Sequence, residues 1–217
     1  RKVQKLIMST FIENQNWRYA TKKFNSEKKI SNSDLEILKE AIQLSTSSYG
    51  LQPYKVIIVE NEEIRKQLQP ASWGQSQITD ASHLFVFASI TNVDAEYINN
   101  FVENMAKTRN IPVESIKAYA DFMIGNITTL TPEKQFIWSQ KQAYLALANL
   151  LNVAAELKID VTPMEGFIPE QYNKILGLTE KGLSATLVAT IGYRADEDAT
   201  QHYKKVRKPI SELFESI

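Results

Sequence analysis

Arg18-Tyr-Ala-Thr-Lys-Lys-Phe24 sets three cations within six residues, among short polar side chains, and the fold turns on what this stretch has to meet. An arginine offers phosphate a planar fork of donors, and a lysine adds a compact charge. Alone, such a run reads as solvated surface. A second basic run, Tyr203-Lys-Lys-Val-Arg-Lys-Pro209, lies near the other end of the chain. If folding joins the two, Arg18, Lys205 and Arg207 converge on one phosphate, each charge-assisted contact contributing about 1.5–3 kcal/mol where water is excluded. If not, they are two unrelated patches.

Composition narrows the partners. With 25 basic and 25 acidic residues the net charge is zero, so no global field favours nucleic acid or an acidic membrane surface, and an anion has to be bound locally. The 217 residues contain no cysteine, which excludes disulfides, thiolate metal sites and a cysteine nucleophile, and suits a reducing cytoplasm. The length fits one domain, taken as residues 8–217, with residues 1–7 read as a remnant or upstream extension because the first methionine is Met8. The apolar-rich stretch from Ala143 to Leu157 is interrupted by Asn149, Asn152 and Glu156 and is too short to span a bilayer. A cytoplasmic protein without membrane contact is expected.

Residues 9–17 suit a short helix leading into the first basic run. Ser31 followed by Asp34 has the form of a helix cap, with Leu35, Leu38 and Ile42 on one face behind it. Lys55–Glu60, His83–Ile90 and Leu183–Tyr193 read as buried strands, and Ile159–Met164 as a shorter one. A short helix from Glu62 is expected to halt at Pro70. Two helices flank Pro112. Pro132 or Glu133 opens the longest helix, apolar nearly all round and therefore central or at a subunit interface. Pro169 and Gly177 bracket another helix.

Several chemistries lack their mechanical basis. The seven glycines never form the loops that cradle dinucleotides or nucleoside triphosphates. His83 and His202 make no zinc spacing, so no metal is expected. No serine sits in a nucleophile elbow.

Arg18–Phe24, Ser47-Ser48 with Gln52-Pro53, Asp80-Ala-Ser-His83, Lys141-Gln142, Pro163-Met-Glu-Gly-Phe167, Glu180-Lys-Gly182 and Lys205-Val-Arg207 fall in an order and spacing that resembles the flavin-dependent nitroreductase family, in particular its oxygen-insensitive bacterial branch. The resemblance runs from about Phe11 to Pro209. It implies an α+β fold with a mixed sheet flanked by helices, in an intertwined homodimer with FMN at the subunit interface. It further implies that Arg18, Lys205 and Arg207 hold the FMN phosphate, with Tyr19 and Ala20 against phosphate and ribityl chain. Lys22 would reach the flavin pyrimidine edge, where a cation stabilises the charge gathered on reduction. Glu165 and Gly166 would direct backbone N–H groups at the reactive nitrogen, and Lys22, Glu165 and Gly166 are the implied catalytic set. Ser47, Ser48 and Gly50 would come from the other subunit, and Gln142 would line the site or make a polar interhelical contact.

The implied reaction reduces nitroaromatics or quinones, small electron-poor acceptors, at the expense of NADH or NADPH in a ping-pong sequence. Flavin reductase or dehalogenase chemistry on the same fold is the enzymatic alternative, and a helical interaction module the non-enzymatic one. The sequence departs from the branch at Gly74 and Gln77, which stand where relatives place an asparagine and a second lysine; Gln75 or Gln77 would supply a neutral hydrogen bond instead. The access wall, implied at Tyr49, Phe122 and Met123 with Tyr119 nearby, is altered too, so the acceptor does not transfer from relatives.

Overall fold

The computed structural model describes residues 2–217, with side chains from residue 10 onward. The reading of residues 1–7 as an extension falls on residues whose side chains lie outside that description. The first helix, α1, is longer than expected and spans Lys2–Trp17. Helix α2 (Asn32–Gln43) starts as the sequence predicts: Ser31 Oγ accepts the Asp34 N–H at 3.1 Å and donates to Asp34 Oδ2 at 2.8 Å. That cap sets the phase in which Leu35, Leu38 and Ile42 are buried.

Strand β1 (Tyr54–Val59) follows, then α3 (Glu62–Ala71), which runs through Pro70 where a stop was expected. Pro70 lies in the last turn, so its missing N–H removes a single helical bond just before the helix ends. A one-turn helix α4 (Gln77–Asp80) leads into β2 (His83–Ile90). Helices α5 (Ala95–Arg109) and α6 (Lys117–Ile127) flank Pro112, and α5 is capped by Asp94 and closed by left-handed Asn110. The 25-residue α7 (Pro132–Glu156) begins with proline behind its Thr131 cap. After β3 (Asp160–Met164), α8 (Pro169–Leu176) ends on left-handed Gly177, β4 covers Leu183–Gly192, and α9 (Ile210–Leu213) sits in the tail.

The four strands lie in the order β1-β2-β4-β3. All three pairings are antiparallel, so within this chain the sheet is not mixed as expected. Phe85, Phe87, Leu187, Ala189 and Ile191 face a core shared with α2 and α7, while Leu84, Val86, Ala88, Ala185 and Val188 face α3 and α8. Cover on both faces explains why β2 and β4 read as nearly continuous apolar runs. Strand β1 is the correction: it is an edge strand, and only Val59 of its six residues is buried. Helices α5 and α6 close a third cluster around Ile98, Val102, Met123 and Ile127.

Two carboxylates tie the first basic run to the far end of the chain. Asp160 in β3 takes the Arg194 guanidinium in a fork, with Nη2 to Oδ1 at 2.6 Å and Nε to both oxygens at 3.1 Å. The same guanidinium lies 4.2 Å from the Trp17 ring centre and 4.5 Å from that of Tyr19. Backbone bonds from Asn25 N–H to Tyr193 O and from Ala195 N–H to Lys23 O, at 2.8 and 2.9 Å, extend the seam.

Asp198 completes it. This side chain, 1% exposed, accepts the Tyr19 hydroxyl and the Lys22 and Lys23 N–H groups on Oδ2 at 2.9, 2.8 and 3.0 Å. Its Oδ1 accepts the Thr200 N–H and hydroxyl at 3.0 and 2.6 Å. Burial opposes its ionisation, but the donors from Thr200, Lys23, Lys22 and Tyr19 outweigh that and hold the carboxyl well below the usual carboxylate range. Because the folded pKa is depressed, this contribution is complete above the ordinary value of 3.8 and is lost as pH falls through the lower folded value. Asp198→Asn, which cannot satisfy both sets of donors, should destabilise the protein by about 1–3 kcal/mol in urea unfolding at pH 7. The gap to the parent protein should narrow in acid; a gap that widened below pH 4 would show that Asp198 is not the anchor.

Candidate active site

Trp17, the last residue of α1, and Tyr19 both lie against Arg194, with Arg18 between them. Arg18 meets the second basic run. A cavity of about 280 Å³ is lined by Arg18, Tyr19 and Ala20 from one run and by Thr200, Lys205 and Arg207 from the other. The Lys205 ammonium donates to the Arg18 carbonyl oxygen across 187 positions of sequence.

With Lys204 also on its wall, four cationic residues line one cavity, and among the described residues none of them forms an ion pair with a carboxylate. Burial and then the Arg207 charge lower the pKa of the Arg18 guanidinium. Burial, Arg18 and Arg207, in that order, lower that of the Lys205 ammonium. An anion in the cavity would relieve both repulsions. Lys22 is fixed by its backbone to Asp198, while its side chain is exposed.

Strand β3 connects this cavity to the Glu165-Gly166 turn. Thr162 Oγ1 donates to the Thr21 carbonyl at 2.8 Å, and the turn begins right after Met164, where the strand ends. The Phe167 N–H closes onto Glu165 O at 2.9 Å, whereas the N–H groups of Glu165 and Gly166 find no acceptor among the described residues. The turn is braced from outside. Gln75 Nε2 donates to Gly166 O at 3.0 Å and to Ser72 O at 3.0 Å, and the Tyr144 hydroxyl donates to Glu165 Oε1. A Cβ at position 166 would stand 2.9 Å from the exposed Trp73 ring, so any other residue there requires that ring to shift.

The segment that presents Trp73 and Gln75 is itself constrained. Trp73 and Gly74 are both left-handed, with φ of 57° and 72°, an unusual state for so bulky a residue as tryptophan. Arg65, 3% exposed, secures the following turn by donating to the carbonyls of Ile78, Ala81 and Ser82 at 2.7, 2.5 and 3.2 Å. Gln75 therefore has its amide N–H committed to the protein. Gln77 does not: it is 7% exposed, and its carboxamide has no hydrogen-bond partner among the described residues.

Ser47, Ser48 and Gly50 lie elsewhere in the chain and do not line the Arg18 cavity. Gln142, 6% exposed, accepts the Ser48 N–H at 2.7 Å and donates to Trp138 O at 3.0 Å, so it braces this loop. Tyr49 and Gly50 are left-handed at 57° and 77°, and the Tyr97 hydroxyl fastens the end of the loop to Leu51 O at 2.8 Å. The Tyr49 ring stands edge-on to Tyr119 and Phe122, 6.4 and 6.3 Å between centres. Phe122 is 58% exposed, but Met123 is fully buried in the α5–α6 core, so it backs this wall and does not face an acceptor. His83 is structural: Nδ1 shares a 2.9 Å hydrogen bond with Ser82 Oγ, and burial lowers its pKa despite Glu60.

Asp198, Tyr144 and Arg65 carry no signal in the sequence, because each acts through partners distant along the chain or through backbone carbonyls.

The nitroreductase family model matches residues 16–193. A Staphylococcus haemolyticus protein provisionally named as an NAD(P)H nitroreductase is 33% identical over 219 residues, covering 97% of this chain and 99% of its own. A Bacillus subtilis protein with a similar provisional name is 32% identical over 199 residues, covering 87% and 90%. Among solved structures, one described as a provisional nitroreductase in complex with FMN, from Exiguobacterium sibiricum, has a TM-score of 0.81 at 21% identity over 95% of this chain and 97% of that one. A match across most of the sequence, relatives above 30% identity along nearly their whole length and the shared fold lead to one conclusion: the chain belongs to the nitroreductase family.

Proposed function

We propose that the chain is an FMN-dependent NAD(P)H oxidoreductase that reduces nitroaromatics or quinones, working as a cytoplasmic homodimer. The observation that carries this is the meeting of Arg18, Lys205 and Arg207 in one cavity with no carboxylate among the described residues paired to them. FMN ends in a phosphate dianion, the charge such a cluster lacks. The rest of the donor set fits the same cofactor. Gln77 offers a carboxamide without a hydrogen-bond partner among the described residues, and Glu165 and Gly166 offer two N–H groups with no acceptor among them.

When bound, FMN supplies the two-electron relay of a ping-pong sequence, from a reduced nicotinamide to an electron-poor acceptor. The residues of this chain do the rest. Arg18, Lys205 and Arg207 hold the phosphate, with the backbone of Tyr19 and Ala20 against it. Lys22 places a positive charge at the pyrimidine edge, where negative charge gathers on reduction, and Gln77 donates a neutral hydrogen bond there. The N–H groups of Glu165 and Gly166 face the reactive nitrogen, and Gly166 lets the backbone come close. Ser47, Ser48 and Gly50 of a second copy would wall the pocket, and Tyr49 and Phe122 would line the approach of the acceptor.

Steady-state oxidation of NADH and NADPH, with nitroaromatic, quinone and free-flavin acceptors in turn, tests the assignment. Turnover of the first two acceptors supports it, turnover of free flavin alone would make the protein a flavin reductase, and no turnover of any would refute it. Arg207→Ala should weaken FMN retention about ten- to a hundredfold, the loss of one charge-assisted contact; undiminished affinity would remove Arg207 from the phosphate site. Gln77→Lys should raise the midpoint potential of bound FMN by adding a cation at the pyrimidine edge, and an unchanged or lower potential would reject that placement.

A further inference from the structure

The Glu165-Gly166 turn is braced by three side chains, and only one of them touches a charge. Gln75 holds the Gly166 carbonyl and Trp73 covers its α-carbon. Tyr144 instead donates its hydroxyl to the Glu165 carboxylate. Both side chains are exposed in this chain, Tyr144 by 39%. Hydrogen bonds between exposed side chains contribute little to folding, so this contact matters for where it lies more than for its strength.

Its place is well fixed. Two residues before Tyr144 on α7, Gln142 is buried and bonded to the Ser48 N–H at 2.7 Å. Residues two apart on a helix project to nearly opposite sides, so α7 is anchored behind Tyr144 while its phenol reaches the turn. The phenol also keeps its proton: burial and then the bond to Glu165 push its pKa up to about 12. A carboxylate beside a group that gains negative charge on reduction opposes that reduction. An O–H dipole aimed at the carboxylate offsets part of its field.

We infer that Tyr144 is a positioning residue that fixes the Glu165 carboxylate and offsets its charge beside bound FMN, and so helps set how readily the cofactor is reduced. This rests on the FMN reading above. It assigns Tyr144 no contact with the acceptor and no proton transfer.

The test is an anaerobic redox titration of FMN-loaded parent protein, Tyr144→Phe, Glu165→Gln and the double variant, with thermal unfolding of the four apoproteins alongside. Tyr144→Phe should make bound FMN about three- to tenfold harder to reduce, a fall of about 15–30 mV for a two-electron couple. Apoprotein melting should stay within about 2 °C of the parent, the effect of a surface bond. In the Glu165→Gln background the phenylalanine should have no effect on the potential, because there is no charge left to offset. An unchanged or raised potential in Tyr144→Phe, or the same fall with and without the Glu165 carboxylate, would overturn the inference while leaving the FMN assignment standing. A parent protein that takes up no FMN would overturn both.

Discussion

The Asp198 carboxylate is the point at which two ends of the chain become one site. Its two oxygens accept the backbone of Lys22 and Lys23 and the hydroxyl of Tyr19 on one side, and Thr200 on the other. With the Asp160–Arg194 fork and the backbone bonds beside it, it helps offset the repulsion created by setting Arg18 beside Lys205 and Arg207. The carboxylate does not touch those three cations. It fixes the backbone that carries them and leaves their charges for something else. Arg194, forked onto Asp160, packs against Trp17 and Tyr19 on either side of Arg18 in sequence.

The other parts of the site follow the same division between buried anchors and available donors. Arg65 satisfies three carbonyls and so fixes the turn that presents Gln77. Gln142 settles the Ser48 loop. Tyr144, Gln75 and Trp73 surround a two-residue turn whose own N–H groups remain unused among the described residues. Left-handed residues cluster in the segments that surround these donors, at Tyr49, Gly50, Gln52, Trp73 and Gly74. Such conformations cost free energy and persist where the surroundings enforce them. A rigid two-sided sheet with α7 against it supplies those surroundings.

Much of this was legible in the chain. The Ser31 cap, the prolines that open α7 and α8, the glycine that ends α8 and the apolar runs of β2 and β4 express local rules, and they lie where those rules put them. The convergence of the two basic runs was legible only as a condition. Whether it held depended on Asp198, whose partners in the first basic run lie more than 170 positions away, a relation that no local pattern encodes. Solvent exposure was legible least. Lys55–Glu60 has the composition of an inner strand but forms an edge, and Met123, which the family resemblance put at the access wall, faces the core. In both cases the neighbour on the other side decides, and that neighbour is set by tertiary structure.

The account stands on the cavity of Arg18, Lys205 and Arg207 being a phosphate site. Titrating the apoprotein with FMN and with riboflavin, which differ by that phosphate alone, tests this most directly. FMN should bind at least about a hundredfold more tightly, the lower end of the worth of a pair of charge-assisted contacts, and the advantage should shrink as salt is raised. Equal affinity for the two flavins would contradict the account.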